Sequence, residues 1–287
     1  MERAGTTAAI RDLGEGVWQF QAPLWQTNSL LALADGEALL CDPALTPDEI
    51  AEIQKEVERR AVDAVHLLVT HGDFDHICGI PYFAEAKVVA GDETARRIDS
   101  RSVVDELHAA GAEWGAEWAT EGLRVDRVVA ADTEFACGAF RVAALDAPSH
   151  GREGLAFALP EQGILLPGDH LSAITYPLLA ASPERAAAAC ERLIEALDRI
   201  ELRWVVPGHG PALSPDEARA IADADLAYLN ALAEASREAE AEGLSPGDAL
   251  LHVFAVDPPR ANTDDFEIYA IRAGNARLAL AEVESSA

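Results

Sequence analysis

Long apolar runs, paired cysteines and lysine are what this chain most lacks. No apolar stretch in its 287 residues approaches the roughly 20 needed to cross a bilayer, so no membrane span is expected. The opening Met1-Glu2-Arg3-Ala4-Gly5 leads into a mixed segment without the apolar core of a signal peptide, and a cytoplasmic protein is the expectation. Cys41, Cys78, Cys137 and Cys190 lie far apart with no CxxC, which argues against a thiolate zinc cage and against a disulfide framework. Cys78 follows His76 by two residues, yet its expected role is a buried small apolar side chain. Lysine occurs only at Lys55 and Lys87, and acids outnumber bases 50 to 22, for a formal charge of −28. Such a surface repels phosphate backbones and anionic headgroups, which sets aside nucleic acid and membrane as partners.

What is present is a patterned α/β chain. Val17–Phe20, Ser29–Leu33 and Ala38–Asp42 read as strands, the last two joined by the turn residues Ala34-Asp35-Gly36-Glu37. Thr46-Pro47-Asp48-Glu49 is a capping box opening a helix to about Arg60. Val65–Val69 is a continuous apolar run, as in a strand covered on both faces. Lys87–Ala90 is another strand, followed by a helical stretch from Asp92 towards Trp118 on which Trp114 and Trp118 fit the core face. A second strand series follows at Arg127–Val129, Phe140–Leu145, Leu155–Leu159 and Gly163–Leu166. After a helix from Ser182 to Ile200, Trp204–Val206 is the last strand. Ser214-Pro215-Asp216-Glu217 and Ser245-Pro246-Gly247-Asp248 then open helices, and the chain reads as helix to its end. This predicts strand-rich halves covered by helices over residues 1–213, with a helical appendage over 214–287.

The histidines carry the chemistry. His71 and His76 follow Leu67-Leu68-Val69, His150 follows Ala144-Leu145, and His209 follows Val205-Val206. Asp169 follows Ile164-Leu165-Leu166 in the same way. Strand ends of one sheet converge on a common edge, where α/β proteins place their sites. Imidazoles and carboxylates gathered there suit a divalent metal.

The arrangement resembles the metallo-β-lactamase superfamily, whose T-H-x-H-x-D-H signature stands here as Thr70-His71-Gly72-Asp73-Phe74-Asp75-His76. Ala147-Pro148-Ser149-His150-Gly151, Pro167-Gly168-Asp169-His170-Leu171, Pro207-Gly208-His209-Gly210 and the early Leu40-Cys41-Asp42-Pro43 match the remaining elements in order. The resemblance covers about Gly16 to Leu213. It implies an αββα sandwich, with the C-terminal helices appended, and two divalent cations. His71, Asp73 and His150 would hold one, Asp75, His76 and His209 the other, with Asp169 bridging. One departure is Asp73, where the family has a histidine; di-iron relatives carry a glutamate there. Asp73 either leaves one site weak or binds through oxygen, and binding is the expectation. The added anion should weaken the metals as Lewis acids and shift preference from zinc towards iron or manganese.

The implied activity is hydrolysis of an ester, thioester, lactone or related bond in a small molecule, by a metal-bridging hydroxide with Asp75 orienting the nucleophile. An iron-dependent oxidoreductase, persulfide dioxygenase-like or di-iron, is the alternative; the absence of a flavodoxin-like domain weakens its di-iron form. A non-catalytic metal-binding protein is the third reading. His170, Trp25 and Arg152 are candidates for touching substrate, each also compatible with a structural or solvated role. His66, His108 and His252 read as structural. The C-terminal helices are candidates for a homodimer contact or a lid.

Overall fold

A computed structural model describes residues 8–150, 152–260 and 265–286, with the side chains of 114, 265–269 and 282–286 excepted. Gly151 of the His150 motif and the Met1–Gly5 segment therefore lie outside the described residues, as does the side chain of Trp114. The first sheet contains β1 (Ala9–Gly14), β2 (Val17–Gln21), β3 (Asn28–Ala34), β4 (Glu37–Cys41), β5 (Ala64–Leu68), β6 (Lys87–Gly91) and β7 (Arg127–Val129), in that order across the sheet. Pairing is antiparallel through β4 and parallel from β4 to β7. The second sheet holds β8 (Thr133–Cys137), β9 (Phe140–Leu145), β10 (Ala156–Leu159), β11 (Ile164–Leu166) and β12 (Trp204–Val205), ordered 12-11-10-9-8. Helices α1 (Pro47–Arg59), α2 (Phe74–Ile77), α3 (Asp92–Ile98) and α4 (Arg101–Trp114) belong to the first half. Helices α5 (Pro183–Arg199), α6 (Pro215–Ala241), α7 (Pro246–Phe254) and α8 (Asp265–Ser286) follow in the second.

Alternation along the strands explains the layering. In β3 and β4, Leu30 and Leu39 point into the core between the sheets, whereas Leu31 and Leu40 face the layer beneath α1 and α4. In β5, Leu67 and Leu68 divide likewise. Both faces are buried, hence the near-continuous apolar runs. A third apolar layer joins the far face of the second sheet to α5 and α6, and a fourth binds α5 to α6, α7 and α8. The result is the expected αββα sandwich with C-terminal helices laid against one flank.

The capping boxes at Thr46 and Ser214 form as anticipated, with Glu49 and Glu217 returning to the cap backbone. Two expectations need correction. The stretch from Asp92 is not one helix: it breaks at Asp99-Ser100, where the Ser100 hydroxyl donates to the carbonyl of Arg97, and restarts as α4. It also ends before Trp118, because Gly115 turns into the left-handed region (φ 66°). Trp118 nevertheless joins the core, and its indole N–H donates to the Leu45 carbonyl. Strands β1 and β8, absent from the sequence reading, lie at sheet edges and are largely exposed. All four cysteines are free and buried. No helix among the described residues is long and apolar enough to cross a membrane.

Candidate metal centre

Strands β9, β11 and β12 run in one direction in the second sheet, as β4 and β5 do in the first. Their C-terminal ends meet at one edge of the sandwich. Asp42 follows β4, Thr70 and His71 follow β5, and Asp73, Asp75 and His76 sit at the start of α2. His150 follows β9, Asp169 follows β11 and His209 follows β12. All seven residues singled out in the sequence are brought together.

Their spacing is informative. His150 Nε2 lies 3.0 Å from Asp169 Oδ2 and 3.4 Å from Asp73 Oδ2. His209 Nε2 lies 3.3 Å from Asp169 Oδ2 and 3.4 Å from Asp75 Oδ2. His76 Nε2 is 3.2 Å from Asp169 Oδ1, and His71 Nε2 is 3.7 Å from both Asp73 and Asp169. Donors bound about 2.1 Å from a shared ion stand roughly 3.0 to 3.4 Å apart, a range that holds the separations at His76, His150 and His209, with His71 slightly beyond it. Three groups have donor atoms within 4.8 Å of one another: His71-Asp73-His150, His71-His76-Asp169 and Asp75-His76-His209.

The other ring nitrogens are all occupied from outside. His76 Nδ1 faces the Asp42 carboxylate at 3.3 Å, His150 Nδ1 the Leu178 carbonyl at 3.0 Å, and His209 Nδ1 the Trp25 carbonyl at 3.1 Å. Carbonyl and carboxylate oxygens only accept, so the proton is assigned to Nδ1 in each ring. The Thr70 hydroxyl donates to Asp42 (2.6 Å) and so accepts from His71 Nδ1 (3.0 Å). In its neutral form each ring held this way turns its Nε2 lone pair inward, the arrangement by which outer partners fix metal-binding imidazoles. His71 Nε2, His76 Nε2 and Asp169 Oδ1 are buried without a hydrogen-bond partner. Such orphaned atoms are rare in folded proteins, and three in one place fit a cation-binding cluster.

Charge follows the same logic. Burial would raise the Asp73 carboxyl, but the His150 ring and the Arg152 guanidinium beside it hold it well below the carboxylate range. Burial likewise opposes ionisation of Asp169, and His209 and His76 overcome it. Burial, with His76 beside it, pushes the His71 ring down to about 3, leaving it neutral. Asp75, by contrast, is raised by burial against the pull of His76 and His209.

The sequence model of the metallo-beta-lactamase superfamily matches residues 22–209. The chain belongs to the metallo-beta-lactamase superfamily. Among solved structures it is similar to a metallo-beta-lactamase family protein from Thermus thermophilus, at 21% identity and TM-score 0.63, covering 96% of this chain and 95% of that one. A metallo-beta-lactamase from Pontibacter korlensis is 18% identical, with TM-score 0.56, 78% of this chain and 99% of the other. The B3 metallo-beta-lactamase BLEG-1 is 19% identical, with TM-score 0.57, 70% and 95%. At these identities the likeness is one of fold. No curated protein sequence matches.

Within this superfamily fold, contacts that the sequence did not reveal complete the centre. Arg97 of α3 donates to Asp73 Oδ1 at 2.8 Å and to the Gly72 carbonyl, and Arg152 reaches the same Oδ1 at 2.6 Å. Asp73 therefore turns only Oδ2 to the histidines. Arg152, a candidate for touching substrate that is also compatible with a solvated role, is engaged by Asp73. Glu153 accepts from the Gly72 N–H (2.7 Å) and from Thr94, fixing the motif loop from beneath. Gly208 admits no side chain, since a Cβ would sit 2.1 Å from Asp169 Oδ1. Non-glycine residues with left-handed backbone also gather here, at Trp25, Asp42 and His150, and such strained positions concentrate at functional sites.

A cavity of about 310 Å³ opens over the donors, walled by Trp25, Phe74, Ile174, Leu178 and Ile271 among others. Trp25, a candidate for touching substrate, is among the residues that line it. His170 is not: its buried ring turns away and its Nε2 pairs with the Pro148 carbonyl, with burial pushing its pKa down to about 4. His66 pairs with Glu37, and His252 with Glu238.

Proposed function

We propose that the chain is a metal-dependent hydrolase of an ester, thioester, lactone or related bond in a small molecule. The observation that carries this is the set of four inward Nε2 atoms, each fixed through Nδ1, around three carboxylates. His71, Asp73 and His150 would hold one divalent cation and Asp75, His76 and His209 the second, with Asp169 shared. Zinc suits the imidazoles, while three carboxylates move the preference towards iron or manganese. When bound, the cations polarise the substrate oxygen and lower the pKa of water.

The remaining work falls to the chain itself. Asp75, buried between His76 and His209, is placed to orient the attacking water and take its proton at Oδ2. Asp42 and Thr70 keep His71 and His76 in register. Trp25 and Phe74, in edge-to-face contact with centroids 6.0 Å apart, exclude water from one side of the cavity. We place the catalytic unit in residues 1–213 and the appendage in 214–287, in a cytoplasmic protein whose C-terminal helices offer a homodimer contact.

The extra carboxylate at Asp73 also favours a second reading, iron-dependent oxidation. Metal analysis of protein purified without added metal, coupled to a panel of esters, thioesters, lactones and phosphodiesters, tests the first reading. Oxygen uptake with a persulfide tests the second. Hydrolysis abolished by chelation and restored by metal is the expected result. Oxygen uptake without hydrolysis would replace the first reading with the second, and silence in both would leave a metal-binding protein.

A further inference from the structure

The substrate's character can be read from the cavity walls and from the charges that are already taken. Large apolar side chains normally cost free energy when left in water, at about 25 cal/mol per Å². Trp25 is nevertheless 40% exposed and Leu178 42% exposed, and both line the cavity. Phe74, Ile174 and Ile271 continue the apolar surface inward. Ile271 belongs to α8, so the C-terminal helices supply part of the wall.

No lysine or arginine lines the cavity among the described residues. The guanidiniums beside Asp73 are both committed. Arg97 and Arg152 converge on Asp73 Oδ1, and Arg97 also holds Glu106 at 2.9 Å. Glu106 itself lines the cavity beside Asp73, Asp75 and Asp169. With three carboxylates among the donors, two divalent cations would keep a net charge of only about one. Away from the donor cluster, an anionic group entering here would find Glu106 and no lysine or arginine among the described lining residues, under the field of a chain carrying −28.

We infer that the substrate is an uncharged ester or lactone with an apolar acyl chain, seated against the Trp25 and Phe74 rings and the side chains of Ile174, Leu178 and Ile271. This rests on the hydrolase reading above. One water is consumed: its oxygen bonds to the acyl carbon, the acyl–oxygen bond breaks, one proton goes to the departing oxygen (which stays attached as a hydroxyl when the substrate is a lactone), and the other passes to solvent by way of Asp75. The new carboxylate meets no lysine or arginine among the described residues of the cavity wall, only Glu106 beside the donor cluster, and departs.

The test compares nitrophenyl esters on the metal-loaded full chain. Catalytic efficiency should rise from the acetate to the octanoate, and fall about tenfold or more when the octanoyl chain ends in a carboxylate. Leu178→Arg, a change at an exposed position whose backbone carbonyl is retained, should reverse that preference. Equal or better turnover of the carboxylate-ended ester by the unaltered protein overturns the inference. Calorimetry on chelator-treated protein separates this from failure of the hydrolase reading. There, methyl hexyl ketone should bind and octanoate should not. Ketone binding without ester turnover would sink the hydrolase reading and keep the apolar site, whereas no ketone binding would sink the site.

Discussion

The donor cluster has two halves, and they are held in different ways. The Asp75 half is anchored to the sheets. His76 leans on Asp42 at the end of β4, and His209 leans on the Trp25 carbonyl and the Thr27 hydroxyl beside β3. Its carboxylate is 7% exposed and pairs with His76 and His209, with no arginine among the described residues in an ion pair with it. The Asp73 half is anchored to helices and loops. Arg97 of α3 and Arg152 share the carboxylate, which is 23% exposed. His150 depends on Leu178, whose loop is gripped by Asn275 of α8: that amide accepts from the Leu179 N–H and donates to the Pro177 carbonyl. Arg260, paired with Asp225, ties the same loop at the Thr175 carbonyl. One half is thus fixed by the sandwich and the other partly by the C-terminal helices. The Asp73 half should be the weaker and more adjustable of the two.

The largest effect should come from the sheet-anchored half. Asp75→Asn keeps the shape but removes the proton acceptor, and turnover should drop about a hundredfold or more with the melting temperature little changed. Unchanged turnover would take Asp75 out of the chemistry. Next, Asn275→Ala should weaken metal binding by about tenfold in the Asp73 half alone, while leaving buried groups unpaired and lowering stability by about 1 to 3 kcal/mol. Equal weakening of both halves in a metal titration would erase the distinction drawn above. Arg152→Ala acts in the opposite direction. It removes a partly exposed positive charge beside the candidate site, so affinity in that half should rise by roughly threefold at low salt and less at high salt. A fall would mean that Arg152 acts chiefly by positioning Asp73.

The smallest effect concerns the thiols, which belong to neither half. Burial raises all four, Cys137 to about 11 and Cys190 to about 12, and Cys41 and Cys78 well above their ordinary value. An acid whose pKa is raised by folding stays protonated in the native state while the unfolded chain ionises. Stability should therefore be unaffected by the thiols below about pH 9 and decline above it, by up to about 1.4 kcal/mol per pH unit for each thiol. Native protein at about pH 8, below the ordinary thiol pKa, should leave a thiol reagent unconsumed until denaturant is added. Prompt labelling would contradict the burial.

Much of the centre was legible in the sequence because its residues sit where an apolar run stops. Leu67-Leu68-Val69 before Thr70-His71, and Val205-Val206 before Pro207-Gly208-His209, mark strand end and donor together. The residues that went unseen act across distances that no local pattern records. Arg97 lies 24 positions from Asp73, and Asn275 lies 96 from Leu179. Arg152 was noticed for its neighbour His150, but its partner Asp73 is 79 positions away. The same limit applies to the fold. Buried strands such as β4 and β5 show unbroken apolar runs, whereas the edge strand β1, Ala-Ile-Arg-Asp-Leu-Gly, carries mixed residues because most of it faces water. His170 was singled out for standing next to Asp169, yet the backbone turns its ring towards Pro148.

The central claim is that seven side chains, gathered from the ends of β5, β9, β11 and β12, hold two cations between them. Elemental analysis and metal titration of the full-length protein, before and after chelation, test it most directly. Two divalent ions per chain, removed by chelator with loss of thermal stability and falling to one in Asp73→Ala, is the predicted result. Identical melting of stripped and metal-supplied protein, with no stoichiometric metal in either, would contradict it.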